Sequence, residues 1–164
     1  MPSWSEFTVI APELAAAVKE RLVAHRHCLL ATLRSDGYPR ISGIEVHFFE
    51  DDLWLGMMPE SVKGADLRRD PRFSLHSAPT DLDLLEGDAK LHGRAIEVDD
   101  TALIAAFAES LPTEQHSEPP PPGEMELFRA DISDVSLVHV DAARELLVID
   151  SWQADEREAL RRQR

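Results

Sequence analysis

Between residues 28 and 98 the chain breaks into short apolar runs separated by turn signals, and that rhythm is the strongest constraint on its fold. "CLLATL" (28–33) reads as a buried strand. In "RSDGYPR" (34–40), Asp36-Gly37 stands between two such runs, a hairpin signal because this dipeptide takes the left-handed backbone that tight hairpins need. "ISGIEVHFFE" (41–50) alternates, with Ile41, Gly43, Glu45 and His47 on one face and Ser42, Ile44, Val46 and Phe48 on the other. Asp51 and Asp52 mark a second turn and "LWLGMM" (53–58) a third strand, so the three read as an antiparallel meander. "FSLHSA" (73–78), "GDAKLHGRAIEV" (87–98), "LFRADISDVSLVHV" (127–140) and "ELLVIDSW" (145–152) are further strands. Many short strands with few helices predict a mainly β, antiparallel small barrel. Gly43, Gly56, Gly87 and Gly93 suit its bends and close backbone approaches.

The helical signals are few. In 11–27, Leu14, Val18 and Leu22 recur every four residues, and Pro12 suits a first turn. Pro59 opens a helix over about 60–69, which stops before "DPRF" because the residue preceding a proline avoids helical geometry. Residues 99–111 form a short helix capped by Asp99 or Asp100. Residues 112–125 are a proline-rich surface loop, and "ADEREALRRQR" reads as a helix or a frayed tail. A length of 164 residues suits a single domain spanning 1–164.

The formal net charge of -14 repels nucleic acid and anionic membrane, so neither is an expected partner. The lone Cys28 reads as a buried structural thiol and leaves no intrachain disulfide. The first residues show neither a basic nor an apolar signal region, and no apolar run approaches the ~20 residues of a membrane span. The expected location is the cytoplasm. Against this acidic background Lys63, Arg68, Arg69 and Arg72 cluster beside Ser61. An anionic ligand needs charge-assisted donors, and a helix N-terminus adds orphan N–H groups. Lys63 near that terminus opposes the helix dipole, which points to an anion partner. Arg68 and Arg69, near the other end, are equally explained as a solvated face that the dipole favours.

Three blocks, "LLATLRSDGYPRISGIEV", "LWLGMMPESVKGADLRRDPRFSL" and "AKLHGRAIEVDD", resemble in order and spacing the pyridoxamine 5′-phosphate oxidase-like family of flavin-binding split β-barrels. The resemblance covers residues 28–100 and implies a Greek-key antiparallel split barrel that dimerises, with flavin sites at the subunit interface. It implies FMN as cofactor, with the deazaflavin F420 as the alternative and haem as a third candidate. The implied contacts are Arg40, Ile41 and Ser42 on the second strand, and Met57 and Met58 at the end of the third. Ser61, Val62 and Lys63 at the helix start and Trp152 at a cofactor edge complete the set. Ser61, Lys63 and Arg40 match the phosphate-contacting positions. Trp152 also reads as a buried interface anchor, and Arg40 as an exposed turn residue. The chain departs from the family's oxidases at Glu45, where they carry lysine, at Val62, where they carry arginine, and at Asp88, where they carry glutamine.

The implied activity is a flavin-dependent oxidoreductase acting on a small organic molecule. The alternatives are a flavin- or haem-binding protein without turnover, and a cofactor-free dimer. No catalytic residue is assigned, because the flavin carries the redox chemistry. Glu45 reads either as a carboxylate meeting substrate or as a rim residue paired with a nearby arginine. The histidines show no metal-ligand spacing, and no phosphate loop, dinucleotide fingerprint or nucleophile elbow is present.

Overall fold

The structure is a computed structural model describing residues 1–79, 83–112 and 124–154, with the backbone of 161–163. Two helices open it. The first, α1 (Trp4–Ile10), was not anticipated. Ser3 caps it by accepting the Glu6 N–H, and the Glu6 carboxylate takes the Ser3 N–H at 2.9 Å, a capping box that stabilises a helix too short to show periodicity. Then α2 (Pro12–Val23) follows, shorter at both ends than 11–27. Trp4, Phe7, Leu14, Val18 and Leu22 from these helices join the main core with Leu30, Leu55, Leu91, Ile132 and Trp152.

The strands are β1 (Cys28–Leu33), β2 (Pro39–Ile44), β3 (Val46–Phe49), β4 (Asp52–Met57), β5 (Arg72–His76), β6 (Asp88–Val98), β7 (Glu126–Asp141) and β8 (Leu146–Gln153). A short β9 (Arg161–Gln163) pairs with β8, where the sequence had suggested a helix or loose tail. All pairings are antiparallel, in the order β2-β1-β5-β6-β7-β4-β3. Between β4 and β5 lies α3 (Val62–Arg69), and between β6 and β7 lies α4 (Thr101–Ser110), capped by Asp100. Of the proline-rich segment, residues 113–123 lie outside the described residues.

One correction explains the architecture. The stretch 41–50 is not one strand of a meander. It breaks at Glu45 into β2, which pairs with β1, and β3, which pairs with β4. These two strands stand at opposite ends of the sheet, yet one residue joins them. Consecutive Cα atoms are about 3.8 Å apart, so the sheet must curl until its ends face each other. Its ends meet without pairing, which makes a split barrel. The turn between β3 and β4 falls at Glu50 and Asp51, both with positive φ, one residue earlier than expected. Outside the barrel α4 packs Phe107 against Trp54, so β4 is buried on both sides.

Where β6 crosses β7 a bulge falls between His92 and Gly93. A Cβ at Gly93 would overlap the Asp131 carbonyl oxygen, whereas one at Gly43 would meet nothing. Gly93→Ala should therefore cost about 1–3 kcal/mol in urea unfolding. Gly43→Ala should stay within about 0.5 kcal/mol. Equal effects of the two substitutions would contradict the tight β6–β7 approach.

Candidate functional site

The split between the sheet ends holds a cavity of about 460 Å³. Gly43 and Ile44 of β2 form one wall, Gly56 and Met57 of β4 the other, and Ser61 and Lys63 of α3 stand at its edge. Glu45 and His47 form the junction side, and Phe107 of α4 closes the outside. Ser61 is the N-cap of α3, its Oγ accepting the Gly64 N–H at 3.0 Å. Lys63 reaches back across the split, and its Nζ donates to the Gly43 carbonyl at 2.7 Å. Burial pushes the Lys63 ammonium below its ordinary pKa.

Most other cations among the described residues are matched to carboxylates. Arg68 holds Glu97 and Glu126, Arg72 holds Asp70, and Arg26 holds Glu45 at 2.7 Å. Arg40 and Arg69 converge on Asp66, whose side chain is 3% exposed. Burial alone would raise the Asp66 carboxyl, but hydrogen bonds from Arg40, Arg69 and Thr32 outweigh it and hold it below its usual range. Among the described residues Lys63 has no carboxylate within ion-pair distance, and its hydrogen bond goes to a neutral carbonyl. One hydroxyl of β2 is unsatisfied. Ser42 Oγ is buried without a hydrogen-bond partner, which costs about 1–3 kcal/mol unless something meets it.

The sequence-predicted set therefore divides. Met57, Met58, Ser61 and Lys63 come together at one cavity, and Ser42 lies on the strand that forms its wall. Arg40 does not point a free guanidinium there, because the buried Asp66 carboxylate takes its Nε at 2.7 Å. Val62 is exposed on the first turn of α3. Ile41 is 71% exposed and lines a second cavity of about 410 Å³ on the outward side of β1, β2, β5 and β6. Asp88 lies at that second cavity, one carboxylate oxygen buried without a partner. Trp152, read either as a cofactor-edge residue or as a buried interface anchor, does not line this cavity. It is buried in this chain's own core, 4.9 Å from the Phe7 ring, because the unforeseen α1 covers it. Glu45 is the rim residue paired with an arginine, Arg26. Cys28 is buried and its thiol donates to the Leu22 carbonyl; burial pushes its pKa to about 11, as suits a structural thiol. His47, Phe107 and Met125 were missed as lining residues, because α4 and β3 reach the split only through tertiary packing.

A sequence model of the family described as pyridoxamine 5′-phosphate oxidase matches residues 14–139. The chain belongs to that family. Its fold recurs in solved structures of low identity. PhzG from Burkholderia lata, solved in complex with tetrahydrophenazine-1-carboxylic acid, is 14% identical with a TM-score of 0.69, over 96% of this chain and 90% of that one. A haem-binding protein from Mycobacterium smegmatis is 22% identical with a TM-score of 0.63, over 85% of this chain and 58% of that one. HutZ, the haem storage protein of Vibrio cholerae, is 17% identical with a TM-score of 0.55, over 75% of this chain and 89% of that one. No curated protein matches the sequence. Among the described residues no helix is long and apolar enough to cross a membrane, and no three His, Cys, Asp or Glu side chains gather as metal ligands.

The Asp66 cluster yields a stability test. Its lowered carboxyl contributes stability that is full above the ordinary value of 3.8 and drains as pH falls through the lower folded value. Asp66→Asn should lose about 1–3 kcal/mol at neutral pH. It should also lack that acid-side slope in urea unfolding followed against pH. Parallel profiles for the two proteins would show that the cluster does not stabilise the fold.

Proposed function

We propose that this protein is a flavin-dependent oxidoreductase that binds FMN in the split between β2 and β4 and acts on a small organic molecule. One observation carries the reading: in an acidic chain, Lys63 is a partly desolvated cation at a cavity mouth, bonded among the described residues to a neutral carbonyl. An anionic ligand group is its natural complement. The cavity volume lies within the ~300–1,000 Å³ usual for small-molecule sites. The residues fit a flat ring with an anionic tail. Lys63 would hold the phosphate. Gly56, Met57 and Phe107 would supply the apolar walls that keep water from the ring. The bound flavin supplies hydride or electron transfer, and the protein orients it. F420 is the alternative, but its longer anionic tail needs more free cations, and Arg68, Arg69 and Arg72 are already engaged by carboxylates. A homodimer is part of the reading, supported by the exposed apolar side chains Leu29 and Ile41 beside the second cavity. A cytoplasmic location belongs to it too.

A second reading has its own observation. His27, His47, Met57, Met58 and Met125 line the same cavity, and imidazole and thioether are the axial ligands haem iron takes. Haem held there through a histidine, with a propionate on Lys63, would make the protein a carrier without turnover.

Titration with FMN, F420 and haem, each followed by absorbance and fluorescence, separates these readings. FMN should bind, and Lys63→Ala should weaken it by more than about tenfold. FMN affinity should also fall as pH rises through the lowered Lys63 value, which lies below the ordinary 10.5. A Soret band with no flavin binding would support the carrier. No binding of any of the three at tens of micromolar would end both readings.

A further inference from the structure

The start of α3 is occupied by a carboxylate from the chain itself. Glu126 begins β7 and lies opposite Met57 in the ladder with β4, so its side chain reaches the turn that follows β4. Its Oε1 accepts the Glu60 N–H at 2.8 Å and Arg68 Nη1 at 3.0 Å, and its Oε2 accepts the Ser61 hydroxyl at 3.3 Å. Only 10% of the side chain is exposed. The local sequence is shaped around this contact. Glu60 adopts a φ of 58, a left-handed conformation uncommon for a non-glycine residue. Gly64 sits inside a helix, where glycine is unfavourable, and a Cβ there would overlap Glu126 Oε2. Arg68, four residues on, stands one turn below and closes the far side of the carboxylate.

A salt bridge that only braces β7 against α3 would need Arg68 alone. Here the carboxylate also takes a backbone N–H and the N-cap hydroxyl, the donors that an incoming phosphate would use. Ser61 and Lys63 both line the cavity, as do Glu124 and Met125, the two residues leading into Glu126. A phosphate entering from the cavity therefore meets Lys63 on one side and a fixed negative charge behind Ser61 on the other.

We propose that Glu126 is a specificity-determining residue, an internal anion that fills the donor set at the start of α3 and lowers the affinity of the cavity for phosphate-bearing ligands. The proposal rests on the flavin reading above and deepens it: the phosphate gains Lys63 but not the Ser61 and Glu60 donors, and FMN is held as an exchangeable ligand.

FMN and riboflavin titrated into the wild type and Glu126→Gln test this. The glutamine keeps the volume and removes the charge. FMN should tighten by about tenfold or more in the variant, while riboflavin stays within about threefold, since only FMN carries the phosphate. Ser61→Ala in the Glu126→Gln background should abolish the gain. Unchanged or weakened FMN binding in Glu126→Gln, or parallel shifts for both flavins, would overturn the proposal. If neither flavin binds either protein, the flavin reading fails, and inorganic phosphate then decides the role of Glu126 alone. Melting temperatures in phosphate and in chloride of matched ionic strength should show a phosphate-dependent rise in Glu126→Gln that the wild type lacks. No such rise would overturn the role of Glu126 as well.

Discussion

The architecture depends on one covalent constraint: the two terminal strands of the main sheet path are joined through the single residue Glu45. A flat sheet would hold β2 and β3 several strand spacings apart, at nearly 5 Å each. Continuity at Glu45 forces curvature instead. Full closure would pair the two ends and remove the gap, but β2 keeps its hydrogen bonds to β1, and β3 keeps its own to β4. What remains is a lined split with backbone groups on both walls. The ligand-sized cavity is thus a by-product of how the barrel fails to close, and Lys63 is the side chain that spans it, bonding from α3 to the β2 carbonyl.

Electrostatics sharpen that geometry. With a net charge of -14, the long-range field disfavours anions everywhere on this surface. Specific anion binding can arise only where local donors prevail over that field. The distribution of ion pairs decides where. The arginines of and next to α3 face Asp66, Asp70, Glu97 and Glu126, and those carboxylates satisfy them. Lys63 is the member of the cluster that lines the split, and burial there pushes its ammonium below the ordinary value.

Much of this was legible in the chain, for physical reasons that differ from element to element. The β1–β2 hairpin was visible because Asp36-Gly37 encodes its turn locally, and Gly37 does take positive φ. The break at Glu45 was not. Alternation runs straight through Glu45, from Ile44 to Phe48, and a change of pairing partner leaves no mark on a period of two. The capping box at Ser3 and Glu6 was present in the letters, but seven residues are too few for a periodic stripe. The burial of Trp152 against Phe7 was hidden with it, since α1 supplies that ring. Ser61 and Lys63 could be placed by resemblance. Glu126 could not, since its contact spans more than sixty residues of chain. The clue was Gly64, a glycine inside a helix with no turn to justify it.

The proline-rich segment enters and leaves at the same rim. Leu111 before it and Glu124 and Met125 after it all line the cavity. The strand that follows is clamped in register on both sides, by β4 and by β6, from its first residues. The two flanks of the segment thus share the rim of the split, while the strand after it belongs to the barrel. One chain segment therefore couples the outer helix to the barrel strand at the very place where Lys63 stands.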